Sequence, residues 1–255
     1  MTAKIYRHLQ LISKLCMKFG TINGCKIYLK CTYGNPTNLK VKGIKYPLHL
    51  RKQTSDIQTF YQIFLDKEYD FKTKYEPKDI VDAGANIGLF AILMKNRFPN
   101  TNIICVEPDP ENFKILESNT SRYSGIKCVN GGIWNKSTSL RVFDKFDSGK
   151  WGLVVEEDQV NGNIKAITID DIMNNHNLSK IDLLKVDIET SEKILFSSNY
   201  ENWLHKTTTL VVEPHDWIED GCTQPVINAV SNCFDKYNLV ISGETIVFSR
   251  HSLTL

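Results

Sequence analysis

No stretch of this 255-residue chain reaches the roughly 18 consecutive apolar residues that a helix needs to cross a bilayer. The chain also lacks a C-x-x-C pair. Its seven cysteines (Cys16, Cys25, Cys31, Cys105, Cys128, Cys222 and Cys233) are scattered, and an odd number leaves at least one unpaired. That pattern excludes a disulfide framework and a zinc site, and reads as reduced thiols of a cytoplasmic protein. An excess of one charge is missing too. Lys and Arg number 31 against 29 Asp and Glu, a net +2, which gives no basic coat for nucleic acid. Internal repeats and low-complexity tracts are absent. Residues 1–19 lack the uninterrupted apolar core of a signal peptide, because Lys4, Arg7, His8, Lys14 and Lys18 break it.

What is present is an ordinary globular composition, 42% hydrophobic and 24% charged, in a length that suits one enlarged domain. Ile5, Leu9, Ile12, Leu15 and Phe19 recur near helical spacing. The resulting basic amphipathic helix packs on the domain or on a partner chain, and its pattern also admits a membrane surface. Cys25–Cys31 alternates apolar and polar and predicts a strand; Leu39–Leu50 alternates in part. Thr54-Ser-Asp56 opens a second helix carrying Ile57, Phe60, Tyr61, Phe64 and Leu65. Residues 1–78 thus form a helical and antiparallel extension, a cap or a means of homo-oligomerisation.

From residue 79 strands alternate with helices, the signature of a mainly parallel sheet. Strands are predicted at Asp79–Ala83, Asn102–Val106, Ile126–Val129, Ile181–Val186 and Thr209–Val212, with Leu239–Ile241 and Thr245–Phe248 as a closing hairpin. Helices are predicted at Leu89–Phe98, Pro110–Asn119 and Val226–Phe234, and a short one from Thr168. Residues 133–167 read as an inserted antiparallel part.

Val81–Phe90 runs from a strand through a glycine turn into a helix. Gly84 and Gly88 let the backbone pass close to a ligand, and the helix start offers N–H groups to an anionic group. A dinucleotide site would want G-x-G-x-x-G; the second and third glycine positions hold Asn86 and Leu89, which disfavours a nicotinamide oxidoreductase. Glu107 ends the second strand 23 residues after Gly84, where an acid can accept hydrogen bonds from both hydroxyls of a ribose. Asn130-Gly131-Gly132 reads as a contact to a base edge or as a plain turn. Asp187 and Glu189 follow another apolar strand and point to the same crevice, although Glu189 or Ser191 also suits a helix cap. Glu213, His215 and Asp216 follow a further strand, where a histidine can serve as base and Glu or His can bind a metal.

Together these residues resemble the FkbM-type family of S-adenosylmethionine-dependent methyltransferases. The likeness rests on D-A-G-A-N-I-G (Asp82–Gly88), V-E-P-D-P-E-N (Val106–Asn112) with Leu116 and Asn119, I-D-L-L-K-V-D-I-E (Ile181–Glu189) with Glu192, and V-V-E-P-H (Val211–His215). Upstream, Leu50–Phe60 and Glu68–Asp70 are similar to the family's leading segment, so the likeness covers residues 48–215. It implies an α/β, Rossmann-like class I methyltransferase fold over residues 79–255, with a mainly parallel seven-stranded sheet closed by a C-terminal antiparallel hairpin. It implies S-adenosylmethionine as cofactor, held by Asp82, Gly84, Ala85, Asn86, Gly88, Glu107, Asp109, Asn130 and Gly131. The acceptor it implies is a hydroxyl of a sugar, glycan or related metabolite, with no nucleic-acid partner. A hydroxyl needs a base or a metal that lowers its pKa. Asp187, Glu189, Glu213 and His215 are the candidates, with His215 as base or Mg²⁺ (or another divalent ion) on Asp187 and Glu213. Arg51, Ser55 and Asp56 read as substrate-side residues or helix caps. Trp134, Phe143, Phe146 and Trp151 read as a sugar platform or as core. One position departs from the family: Thr190 follows Glu189 where glycine is usual.

Two other readings remain. A base-modifying methyltransferase would want Asn/Asp-Pro-Pro-aromatic after the fourth strand, where this chain has Asp187-Ile-Glu-Thr. A catalytically silent, methyltransferase-like binding subunit is compatible with the fold, since fold does not determine function.

Overall fold

Apolar pairs of residues dominate five central strands, and strand geometry sends each member of a pair to opposite faces. Ile80, Ile103, Leu183, Val211 and Val247 fall in one core cluster, while their neighbours Val81, Ile104, Leu184, Val212 and Phe248 fall in the other. The computed structural model describes residues 2–143 and 154–254.

The main sheet holds β1 (Asp79–Ala83), β2 (Asn102–Glu107), β3 (Ile126–Asn130), β4 (Ile181–Val186), β5 (Thr207–Val212), β6 (Asn238–Ser242) and β7 (Thr245–Ser249). Their order is β6-β7-β5-β4-β1-β2-β3; β7 runs antiparallel to both neighbours and the other pairs are parallel. The chain moves outward from β1 to β3, then returns to β4 on β1's other side. Ligands in open α/β sheets bind at the carboxyl ends of the strands beside such a reversal.

The helices are α1 (Thr2–Phe19), α2 (Thr21–Thr32), α3 (Asp56–Phe64), α4 (Leu89–Arg97), α5 (Pro110–Thr120), α6 (Ile169–Asn175), α7 (Glu192–Leu195), α8 (Glu201–His205) and α9 (Thr223–Cys233). Residues of α1 to α5 share one core cluster with one face of the sheet. Residues of α6 to α9 share the other. None of the described helices is long and apolar enough to cross a membrane.

The extension departs from its sequence reading. Cys25–Cys31 is helical, inside α2, and not a strand. Its buried residues are Gly24, Ile27, Tyr28 and Cys31, a helical face. Gly24 lets α2 cross close to α1: a Cβ there would stand 2.5 Å from the Cys16 nitrogen. The predicted antiparallel pair shrinks to one bridge, Leu39 to Leu48, with both N–H···O distances 2.9 Å. The insertion contributes four short strands, of which Gly132–Ile133 pairs parallel with Ile164–Ile167 and the rest are antiparallel. Trp134 packs there against Leu140 and Val155, so it is core and not a sugar platform. Phe143 lies under the Arg141 guanidinium, and Phe146 and Trp151 lie outside the described residues.

Candidate active site

The site begins where β1 turns into α4. Gly84 has φ +79°, and a Cβ there would overlap the Asp187 carbonyl oxygen, so only glycine lets the ends of β1 and β4 approach. The turn's N–H groups are used inside the protein. Gly84 and Ala85 both donate to the Val106 carbonyl at 3.0 Å, Gly88 donates to Ala85, and Asn86 donates to Glu107 Oε2 at 2.8 Å. Gly88 faces α5, where a Cβ would meet Leu116 at 2.7 Å; it seats α4 on α5 and does not border the cleft.

Glu107 is buried at the end of β2, and its Oε1 accepts from the Asp109 N–H at 3.0 Å and the Asn112 amide at 3.4 Å. Burial pushes its carboxyl up to about 7 despite those donors. Asn112 is held in turn by Arg51, whose Nη2 donates to it at 2.7 Å, and Arg51 forks onto buried Asp56 at 2.8 and 3.0 Å. Arg51, Ser55 and Asp56 line neither half of the cleft, and Ser55 makes no side-chain cap. Arg51 and Asp56 therefore brace the Glu107 end of the site, in place of a substrate wall. Asn119 ties the His49 backbone to the Ile87 carbonyl, which gives that motif position a structural task.

One half of the cleft, about 570 Å³, is bordered by Glu107, Asn86, Ser191 and the apolar Val106, Ile133, Val155 and Ile188. Asn86 Oδ1 and Ser191 Oγ are buried there without a hydrogen-bond partner. Buried polar atoms are rarely left so, and both can serve an incoming polar ligand. Several predicted binding residues lie elsewhere. Asp109 caps α5 by accepting from Glu111 and Asn112 N–H; Asn130 donates its amide to the Glu107 carbonyl at 2.9 Å; Gly131 packs against Ile167. The neighbouring Gly132 and Ile133 border the cleft instead.

The other half, about 600 Å³, shares Gly84, Asn86, Asp187 and Glu189 with the first and adds Glu68, Glu213, His215 and Trp217. Six acids (Glu68, Asp82, Asp187, Glu189, Glu192 and Glu213) meet two cationic side chains, Lys185 and His215. Lys185 is buried, 3.3 Å from Asp82 and 3.1 Å from Asp187, and donates to the Gly84 carbonyl at 2.9 Å. Burial alone would lower its pKa, but Asp187 and Asp82 outweigh it and keep the ammonium charged. Asp82 therefore serves Lys185 and borders neither half of the cleft.

His215 Nδ1 stands 3.1 Å from Glu192 Oε1, and its Nε2 stands 3.4 Å from Glu189, 3.7 Å from Asp187 and 3.9 Å from Glu213. Burial works against its charge, yet Glu192, Glu189 and Asp187 raise its pKa to about 10. These carboxylates favour the imidazolium, which has no lone pair to offer, so the surroundings count against His215 as the free base. Glu189 and Glu213 are both pushed well above the usual carboxylate range, by burial first and then by Asp187.

Glu189 and Thr190 sit at φ +48° and +72° in the turn after β4. A β-branched side chain is strained in that region. Thr190→Gly should raise unfolding free energy by about 1 kcal/mol in a denaturant titration. Equal or lower stability would mean that the threonine side chain repays its strain through contacts.

Sequence reasoning singled out the strand-end acids but passed over Lys185, Arg51's bracing role and the orphaned Ser191 hydroxyl. Lys185 left a usable signal, a lone cation within the apolar run Ile181–Val186.

Comparison with known proteins identifies the family. "Methyltransferase 1" of Beauveria bassiana is 29% identical over 167 residues, covering 56% of this chain and 67% of that protein. "Methyltransferase sdnD" of Sordaria araneosa is 28% identical over 206 residues, covering 67% and 78%. The crystal structure of methyltransferase FkbM from Methylobacillus flagellatus aligns with 97% of this chain at TM-score 0.52 and 15% identity, and the chain spans 60% of its length; this is a likeness of fold. The methyltransferase FkbM domain matches residues 82–243, which runs from the Asp82 that anchors Lys185 to the β6–β7 turn and takes in the whole Glu107 half of the cleft and the strand-end acids of the other half, but not Glu68. Matched over more than half its length, the chain belongs to the FkbM methyltransferase domain family.

Proposed function

We propose that this chain is an S-adenosylmethionine-dependent O-methyltransferase that acts on a hydroxyl of a sugar, glycan or related metabolite. The observation that carries the reading is the convergence of Glu107, Asn86 and Ser191 on one half-apolar cleft that shares Asp187 and Glu189 with a carboxylate cluster. These residues fit the cofactor. The Glu107 carboxylate keeps lone pairs for ribose hydroxyls, the apolar wall suits a flat base, and the orphaned atoms await polar partners. The surplus of acids suits a positive sulfonium. When bound, the cofactor would supply a methyl group already activated for transfer.

The protein's own task is then to align a hydroxyl and take its proton. Glu189 borders both halves of the cleft and is the base we assign, with Asp187 beside it. His215, held charged by Glu192, keeps Glu189 oriented and raises the fraction that is ionised. Turnover should rise with pH as Glu189 ionises, above the usual carboxylate range. It should fall again as His215 loses its proton near pH 10.

A divalent ion is the second route to the same alkoxide, because Asp187, Glu213 and His215 offer ligand atoms within 4.8 Å of one another. The His215 proton already offsets part of that charge, which favours the metal-free route. Incubation with methyl-labelled cofactor and a panel of saccharides and hydroxylated metabolites, with and without EDTA, tests the proposal. Label on an oxygen that survives EDTA is the expected result. Label on nitrogen, or none on any acceptor, would overturn it.

A further inference from the structure

The small net charge of +2 conceals a strong polarity. Residues 1–55 hold 11 of the 31 Lys and Arg and none of the 29 Asp and Glu, so residues 56–255 carry 20 cations against 29 acids. Two of the eleven, Lys14 and Arg51, meet the acids Asp66 and Asp56.

The same segment exposes large apolar side chains. On α2 and its C-cap residue, Ile22, Lys26, Leu29 and Tyr33 follow one another at spacings of four, three and four, which places them along one side of the helix. Ile22 is 72% exposed, Leu29 55% and Tyr33 67%. The opposite face of α2 is the one buried against α1. On α1, Leu9 and Met17 are also exposed, at 60% and 77%. Single exposed apolar residues are ordinary; a stripe of them on a helix with Lys26 among them and Lys30 beside it is not.

We propose that the α1–α2 hairpin docks on the surface of an anionic phospholipid bilayer. Lysines at the edge of the stripe would meet lipid phosphates and carboxylates, while Ile22, Leu29 and Tyr33 enter the headgroup boundary. Charge selects this occupant. A second copy would bring a like-charged end against the first and be repelled. A nucleic acid would engage the lysines and leave the aliphatic stripe in water. α3 links the hairpin to the cleft: Phe60 stacks on Phe19 of α1 at 6.3 Å, while Thr59 and Gln62 border the acidic half. A docked chain would thus hold the cleft about one helix diameter, roughly 10 Å, from the hairpin.

The test is co-sedimentation of the whole chain with vesicles of phosphatidylcholine, alone or with about 30% phosphatidylserine, at about 0.1 M salt. Binding confined to the anionic vesicles, and weaker at higher salt, is expected. Lys26→Glu with Lys30→Glu should weaken it about 25-fold or more, at about fivefold per charge lost. Ile22→Ser with Leu29→Ser should weaken it about tenfold or more. These positions are exposed, so unchanged melting curves would show that the variants fold. Equal binding to both vesicle types, or none, would overturn the proposal. So would binding that ignores the serine substitutions, or light scattering that shows a dimer which those substitutions dissolve.

Discussion

Glu107→Ala should weaken binding of S-adenosylhomocysteine about 100-fold or more, measured by calorimetry. Hydrogen bonds to a charged acceptor contribute about 1.5–3 kcal/mol each, and two ribose hydroxyls would lose theirs together. The loss has a pH signature that a merely structural role would not produce. In the free protein the Glu107 carboxyl is raised to about 7, chiefly by burial. Hydroxyl donors favour the ionised form and would lower that value on binding. Affinity should therefore fall about tenfold for each pH unit below 7 and level off above it. Glu107→Ala should flatten that slope as well as lower the plateau. A variant that binds the ligand as tightly as the parent would remove Glu107 from the site. Arg51→Ala should shift the same curve less, because Arg51 acts on Glu107 only through Asn112.

Glu189→Gln should lower kcat about 100-fold or more while changing cofactor affinity little. Loss of a positioned base typically costs 10²- to 10⁴-fold, about 3–5 kcal/mol of barrier. Glutamine keeps the shape and the left-handed turn but cannot accept the proton. Glu189's raised pKa predicts where the parent's rate climbs with pH, and that climb should vanish in the variant. His215→Asn is the companion measurement. It removes the imidazolium 3.4 Å from Glu189, so the rising limb should move to higher pH. Full turnover in Glu189→Gln would transfer the role to Asp187, whose carboxylate lies in the same two half-clefts.

Much of the parallel sheet was legible because its strands are short apolar runs bounded by glycine, proline or charge. Asp79–Ala83 and Ile181–Val186 match their predicted bounds. The extension was less legible. Cys25–Cys31 shows a period of two by coincidence, and the helical face that decides the matter includes Gly24, which has no side chain to register in a hydrophobic pattern. The crevice could be located from Gly84, Glu107 and Asp187, since strand ends on one side of a sheet converge. Which motif residues face it could not. Asp109 and Asn130 are claimed by nearby backbone groups, a choice made by local turns and caps.

By itself the sequence determined the family, the alternation of strand and helix, and the two acids that close β2 and β4, because these are local patterns of residue type and spacing. Only the tertiary structure decided the charge states. Glu192, 23 residues before His215, and Asp187 and Glu189 from another strand end surround that imidazole and favour its protonated form. Proton affinity in a buried cluster is set by distances between groups far apart in the chain, and no reading of composition or period contains those distances.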